Sequence, residues 1–521
     1  MAGTRPYGLA LGDLNGDGLL DIVAGDNANQ HLTSVLLGQP GGLFGPVTAY
    51  PSAAGSFDLA LRDVNGDGRL DLITGGNGPI SVGVQLGQAS GFGSMSTYQT
   101  GGGIIQKIAL GDLNGDGLPD IVLANLGTNH VDVLMGQAGG FAPVIRYSTG
   151  VESSPFAVAL GDLNGDGRLD IVTGNTKSAT IGVLLGQPGG GFAPVVTYPA
   201  FRSRVNTSTL YLMGVALADV DGDGRLDVVT SSDDAPTGPT LGVLLGKPNG
   251  LAPISYFPTA GLSAHGLAVG DVNGDSWPDI VLASPGANAV GVLLGYPGGF
   301  STPFSYSTGA NRVPWEVALG DVNSDGRLDI VTTNSAASSV GVLLNSAPLT
   351  LTATGTTPGS GPAGSTITLT GSNLQESVAV VFEGTGNHTV SSGFAVDPAG
   401  TQITGIVVPS GATSGQLRVV TPSGTVTSST SFAVQTPTSV FARNPGNTMA
   451  LYPSPARNSA TVSLPAASTA RSVLLHDALG RLVRQHMLPA QASTTALDLV
   501  GMRPGVYSVH CGPFTSKLVV E

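Results

Sequence analysis

The stretch Leu11-Gly12-Asp13-Leu14-Asn15-Gly16-Asp17-Gly18-Leu19-Leu20-Asp21 decides the fold, because it returns almost unchanged at a nearly fixed interval. Its first aspartate recurs as Asp63, Asp112, Asp162, Asp219, Asp271 and Asp321, in steps of 50, 49, 50, 57, 52 and 50 residues. Such a period marks a repeat architecture, in which each unit buries its apolar face against the next. In the fourth copy, Val158-Ala159-Leu160 leads into the acidic loop, followed by runs at Leu169 to Val172, Ile181 to Leu185 and Phe192 to Tyr198. Each run is short, β-branched or aromatic, and bounded by Gly, Asn or Pro, which predicts four antiparallel strands per copy. Seven copies around an axis predict an all-β chain whose residues 1–347 form a seven-bladed β-propeller. A right-handed solenoid suits hairpin-linked units of this length less well.

The acidic loops place carboxylate or amide oxygens at positions 1, 3, 5 and 9, and leave position 7 free to offer its backbone carbonyl. The candidate ligands are Asp13, Asn15, Asp17, Leu19 and Asp21 in the first loop, and Asp63, Asn65, Asp67, Arg69 and Asp71 in the second. Asp112, Asn114, Asp116, Leu118 and Asp120 follow in the third, and Asp162, Asn164, Asp166, Arg168 and Asp170 in the fourth. The fifth has Asp219, Asp221, Asp223, Arg225 and Asp227, and the sixth Asp271, Asn273, Asp275, Trp277 and Asp279. The seventh has Asp321, Asn323, Asp325, Arg327 and Asp329. Calcium takes six to eight oxygens at about 2.3 to 2.6 Å, and a tight turn converges them only if alternate residues point inward. Glycine at position 6 permits the positive φ of so sharp a turn, and only the sixth loop departs, with Ser276. A mere hairpin turn would explain the Asp-Gly pairs but not the aspartate four places later.

These loops resemble FG-GAP or VCBS repeats, the calcium-loop propellers of integrin α-subunits and many bacterial surface proteins, over residues 1 to 346. The resemblance implies one structural Ca²⁺ per loop. The loops hold 22 of the 35 acidic residues, and seven Ca²⁺ would bring +14 against a net charge of −14. That acidity argues against nucleic acid, which needs clustered Lys and Arg.

No G-x-S-x-G, H-E-x-x-H, P-loop or C-x-x-C is present, and the seven histidines are scattered and read as surface residues. The dense acid pairs all sit in the loops, where a ligated carboxylate makes a poor general acid. The sequence therefore reads as a binding protein rather than an enzyme, with an extracellular glycan or protein as ligand and a monomeric state. The alternative is a secreted carbohydrate-active lyase or hydrolase on the same scaffold. Six residues before each first aspartate stand Tyr7, Phe57, Gln106, Phe156, Met213, His265 and Trp315, a mostly aromatic ring at the start of the innermost strands. It either presents a stacking surface or plugs the channel mouth. The longest connection, before the fifth loop, adds Phe201, Arg202, Arg204, Asn206 and Tyr211, so Arg202 and Tyr211 join the candidate ligand-binding residues.

Beyond Pro348 the period vanishes. Residues 348–436, with Ser365-Thr366-Ile367-Thr368-Leu369-Thr370-Gly371-Ser372-Asn373-Leu374 and Ser431-Phe432-Ala433-Val434, resemble the IPT/TIG domain, an immunoglobulin-like sandwich that serves as a spacer. A linker at 437–448 precedes residues 449–521. There Leu451-Tyr452-Pro453-Ser454-Pro455, Asp477-Ala478-Leu479-Gly480-Arg481, Pro504-Gly505-Val506-Tyr507 and Lys517-Leu518-Val519-Val520 occur in order. They resemble the type A C-terminal sorting domain of bacterial type IX secretion, with Ser454 where Asn is usual. The resemblance implies a partner in the type IX machinery, export across the outer membrane, and a secreted or cell-surface location. Cys511 is the single cysteine, so no disulfide staples the chain, and no apolar run approaches the ~20 residues of a membrane span. The seventh copy stops at Val342-Leu343-Leu344-Asn345 without an outer strand, and Met1-Ala2-Gly3-Thr4-Arg5 lacks a signal's apolar region. The reading places both missing pieces upstream of residue 1.

Overall fold

The computed structural model describes residues 5–26, 31–52, 55–76, 81–89, 91–201, 212–233, 240–259, 262–346, 352–382, 388–422, 424–435, 449–452 and 454–521. The linker assigned to 437–448 lies outside them. The described residues contain strands and no helices, and the chain divides into two compact units, Met1–Thr436 and Pro437–Glu521.

The first unit begins with seven antiparallel sheets in chain order. The fourth shows the plan: Pro155–Gly161, Asp170–Asn175, Thr180–Leu184 and Val196–Pro199 pair in sequence from the innermost strand outward. The second strands are buried along their whole length in six sheets and up to Leu126 in the third, as strands sandwiched between two neighbouring sheets must be. Leu9 and Ile22 of the first sheet share a core with Val322 and Val331 of the seventh, and Thr333 Oγ1 donates to Tyr7 O at 3.0 Å. The series therefore closes on itself as a propeller-like ring.

One local detail differs from the sequence expectation. The outer run Phe192 to Tyr198 is not one strand. Phe192 ends a separate hairpin, Gly186–Gln187 with Gly191–Phe192, and only Val196–Pro199 pairs with the sheet. Pro194 between them has no N–H for a ladder, which accounts for the break. The split serves packing between sheets. Tyr50 meets Phe92, Tyr98 meets Phe141, and Tyr147 meets Phe192, each edge-on with centroids 5.0 to 5.3 Å apart. The glycines before Phe92 and Phe141 keep room for the tyrosine: a Cβ on Gly140 would lie 2.4 Å from the Tyr98 hydroxyl.

Among the described residues the seventh sheet has three strands, Pro314–Gly320, Asp329–Asn334 and Ser339–Leu343. Its third strand is only half-buried along its length, whereas the corresponding Leu241–Leu244 is fully buried.

Next in the first unit come two sheets facing one core. One holds Thr352–Thr357, Thr366–Ser372, Ala395–Val396 and Gln402–Val407. The other holds Ser360–Gly361, Ala379–Val381, Thr389–Val390, Gly415–Thr421 and Gly424–Val434. Ile367, Leu369, Ile403, Leu417 and Phe432 fill the space between them. This sandwich also buries Ala379 and Val420 against Val292, Leu294 and Tyr296 of the sixth ring sheet.

The second unit packs Ala450–Tyr452, Ser459–Ser463 and Thr494–Asp498 against a four-stranded sheet of Arg471–His476, Leu482–Leu488, Gly505–Cys511 and Phe514–Val520. Its own core includes Val462, Leu475, Val509, Leu518 and the buried Cys511. The motif residues shape its turns. Asp477 Oδ1 accepts from the Leu479 and Arg481 amides at 2.9 and 3.0 Å, and Tyr507 Oη donates to Arg503 O at 2.7 Å.

Candidate functional site

The acidic loops join the first and second strands of every ring sheet, and each is wound around its own carboxylates. In the first loop, Asp13 Oδ1 accepts from Gly16 N at 2.7 Å and Asp17 N at 3.2 Å, while Oδ2 accepts from Gly18 N at 2.8 Å. Asn15 Oδ1 accepts from Asp17 N at 2.8 Å, and Asp17 Oδ1 from Leu19 N at 2.8 Å. The same pattern holds Asp63, Asp112, Asp162, Asp219, Asp271 and Asp321 at the head of their loops. Backbone amides outweigh burial at Asp63 and Asp112 and hold both carboxyls below the ordinary range.

Position 9 is different in kind. Asp21 is fully buried, accepts from Leu14 N at 2.8 Å, and reaches Gly38 N at 2.7 Å beyond the third strand. Asp71, Asp120, Asp170, Asp227, Asp279 and Asp329 repeat this, the last with Asn345 in the glycine's place. Burial and the neighbouring aspartates raise these carboxyls despite the two amides, Asp279 to about 7. This second role of position 9, tying loop to hairpin, was not read from the sequence. The glycine that recurs at the end of the third strand in six of the seven copies, Gly38, Gly87, Gly136, Gly186, Gly246 and Gly295, carries its signal.

In the fifth loop, carboxylate oxygens of Asp219, Asp221 and Asp227 lie within 4.8 Å of one another, a set able to hold a cation. Asp223 is not in that group; it and Asp221 face Lys247 Nζ, each at 3.6 Å. Arg168 and Arg327, at position 7, fold back onto Asp166 and Asp325 and donate their Nε to Gly186 O and Asn345 O. Both glycine-to-serine departures carry strain: Ser276 has φ 71° and Ser324, at position 4 of the seventh loop, φ 60°.

The aromatic ring comes together at one end of the channel. Tyr7 lies 4.2 Å from Trp315 and 5.7 Å from Phe57, and His265 lies 4.3 Å from Trp315, centroid to centroid. Phe156, Met213, Gln106 and His265 are buried, and the cavity among these side chains is about 10 Å³. The rings pack on one another. His265 is thus no surface residue, and neither is the buried His388. Arg202 and Tyr211 lie outside the described residues.

One position further along each inner strand, sequence reasoning missed a second ring: Gly8, Asp58, Lys107, Ala157, Gly214, Gly266 and Glu316. Asp58, Lys107, Ala157, Gly214 and Glu316 of this ring line a channel cavity of about 220 Å³. Lys107 Nζ bridges Asp58, at 3.4 Å, and Glu316, so one ammonium ties the second, third and seventh sheets. Asp58 also accepts from Ile108 N at 2.8 Å. Burial raises the Asp58 carboxyl to about 6 against the pull of Lys107. For Lys107, burial alone would lower the value, but Asp58 and Glu316 outweigh it and raise it. Glycine at positions 8 and 266 reflects close approach, since a Cβ there would stand 3.0 and 2.7 Å from the Cα of Asp58 and Glu316.

Comparison with known proteins places this geometry. Residues 13–74, 63–123, 112–173 and 241–332 match the FG-GAP-like repeat, and residues 450–520 match the secretion system C-terminal sorting domain. The chain is therefore a secreted or cell-surface protein carrying FG-GAP-like repeats and a type IX sorting domain. No curated protein matches it. Among solved structures, a periplasmic gluconolactonase of Pseudomonas aeruginosa is 15% identical, covering 65% of this chain and 88% of that one at TM-score 0.43. A protein of unknown function from Desulfotomaculum acetoxidans is 15% identical, over 58% and 89%, at TM-score 0.39. BBS1N in complex with ARL6DN is 12% identical, over 64% and 92%, at TM-score 0.42.

Proposed function

We propose that the ring is a seven-bladed propeller loaded with one structural Ca²⁺ per acidic loop, and that the chain is a secreted binding or adhesion protein rather than an enzyme. The observation that carries the reading is the convergence of Asp219, Asp221 and Asp227, in a loop form repeated seven times. The residues fit the ion. Positions 1, 3, 5 and 9 supply hard oxygens, and the buried Oδ2 of Asp275 has no hydrogen-bond partner. The cation would draw together carboxylates that otherwise repel, and so stiffen each sheet's entry. The sandwich at 348–436 is read as an immunoglobulin-like IPT/TIG spacer, and the extracellular ligand as a glycan or protein. Because the aromatic ring packs on itself, its part is to close the channel mouth, and a ligand would meet only the half-exposed faces of Tyr7, Phe57 and Trp315.

Calorimetric titration after chelation tests the loops: uptake of about seven Ca²⁺ and a higher melting temperature are expected. No uptake would end the calcium reading. The second reading, a carbohydrate-active enzyme, draws on Asp58, Lys107 and Glu316 in their shared cavity. Product analysis of any glycan captured on an array separates the two, since cleavage lost in Glu316→Gln would favour the enzyme.

A further inference from the structure

The sixth loop differs from the other six in what covers it. At position 5, Asp17, Asp67, Asp116, Asp166, Asp223 and Asp325 are exposed, but Asp275 is only 5% exposed. The cover is the sandwich. Asn273 Nδ2 donates to Thr421 O at 3.4 Å, and a Cβ on Gly424 would stand 3.2 Å from Asn273 O. On the other side Trp277 lies over the fifth loop, so close that a Cβ on Gly222 would meet its ring at 2.9 Å. Asn345 Nδ2, from the end of the seventh sheet, donates to Val272 O at 2.6 Å. The loop is thus held from three directions.

Charge at this seam is unbalanced. Asp275 Oδ1 accepts from Trp277 N at 2.8 Å, while the buried Oδ2 has no hydrogen-bond partner. Asp271 and Asp279 stand beside it, and Arg418 of the sandwich supplies one positive charge to Asp275. Three carboxylates and one guanidinium leave a formal −2, which one divalent cation would neutralise. Glu376, also near the seam, is exposed and screened by water. In the other loops solvent can screen the carboxylates; here the sandwich excludes it, so the seated arrangement needs a counter-charge more than any other loop does.

We propose that the sixth loop is a cation-closed latch, in which a divalent ion held by Asp271, Asn273, Asp275 and Asp279 secures the sandwich on the ring. The latch rests on the calcium reading of the loops and adds to it a coupling between one site and one interface. Removing calcium from the other six loops loosens their turns, whereas removing it here leaves buried like charges facing the sandwich and opens the seam.

Hydrogen exchange of the full chain, with calcium and after chelation, tests this alongside calorimetric counting. Chelation is expected to speed exchange about tenfold or more in Ala379–Val381 and Gly415–Thr421, and to leave Thr366–Ser372 in the sandwich's other sheet unchanged. Asp275→Asn should bind one calcium fewer and lose the calcium response at the seam. Asp67→Asn, its exposed counterpart in the second loop, should also lose one calcium yet keep that response. Arg418→Gln leaves every loop intact and removes the compensating charge, so its seam should depend on calcium more steeply than the wild type. The latch is overturned if calcium leaves while the seam's exchange stays the same, or if Asp67→Asn and Asp275→Asn behave alike there. No uptake by the wild-type chain would remove the calcium reading and the latch together, so the two failures are distinguishable.

Discussion

Serine at a left-handed backbone position costs about 1 kcal/mol relative to glycine, and Ser276 and Ser324 both sit there, with φ 71° and 60°. The Ser276 side chain is exposed and its amide already serves Asp271 Oδ2, so nothing evident is lost by removing the hydroxymethyl group. Ser276→Gly should therefore raise stability by about 1 kcal/mol at fixed calcium, read from chemical denaturation. A lower stability would show that the serine is needed by the seam. Asp58 yields a pH prediction. Its folded value of about 6 stands above its ordinary 3.8, so the folded chain holds this proton more tightly than the unfolded one. Its contribution is full below about pH 4 and is lost as the pH rises through about 6. Melting with calcium held saturating should show a fall over that window on the order of 2 kcal/mol. Asp58→Asn should flatten it. Identical profiles would mean that Lys107 keeps Asp58 ionised throughout. The loop residues were legible because the same acidic spacing repeats seven times. Asp58, Lys107 and Glu316 were not, because each is a single departure at a position where other copies carry Gly or Ala, and only ring closure brings them together.

At the level of strands, short apolar runs located the four elements of the first six copies and three of the seventh, and their bounds moved by a few residues once turn chemistry acted. Pro194 divided the outer run, which the sequence showed but an apolar pattern outweighed. The edge-on Tyr and Phe pairs pack neighbouring sheets on one another. Phe44 of the first sheet and Tyr306 of the sixth take part in none of these pairs. Phe44 packs beside Val340 and Val342, and Tyr306 lines a cavity with Leu343 and Leu344, at the half-buried strand Ser339–Leu343 that is outermost in the seventh sheet among the described residues. An open edge of this kind presents unpaired N–H and C=O groups. A peptide with the sequence Phe192 to Pro199, added in excess, should pair there and raise the melting temperature by about 2 °C or more. A scrambled peptide with equal effect would argue against strand addition. Less of the sandwich was legible: two motifs marked residues 348–436 as a separate β-domain, but its contact with the sixth loop was not marked. Nothing local to Arg418 or Thr421 announces a partner about 150 residues away.

On the scale of the whole chain, the division into Met1–Thr436 and Pro437–Glu521 separates two tasks. The ring and sandwich hold the acidic loops, while the second unit carries the sorting motifs in a fold with its own core of Val462, Leu475, Val509 and Leu518. Asp477 with Arg481, and Tyr507 with Arg503, are bound within that unit, so what makes its surface recognisable does not depend on the first. Folding and export should then be separable. A chain ending at Thr436 is expected to match the full chain in the calcium titration and to melt within about 2 °C of it, but to accumulate in the periplasm of a type IX host. Residues 437–521 fused to a small periplasmic reporter should carry it to the cell surface or medium. Asp477→Ala in that fusion removes the acceptor that holds the Asp477 to Arg481 turn, and should reduce export without unfolding the core, checked by the reporter's location beside the unit's melting curve. Export of the truncated chain at the full-length level would show instead that the sorting information lies in the ring and sandwich.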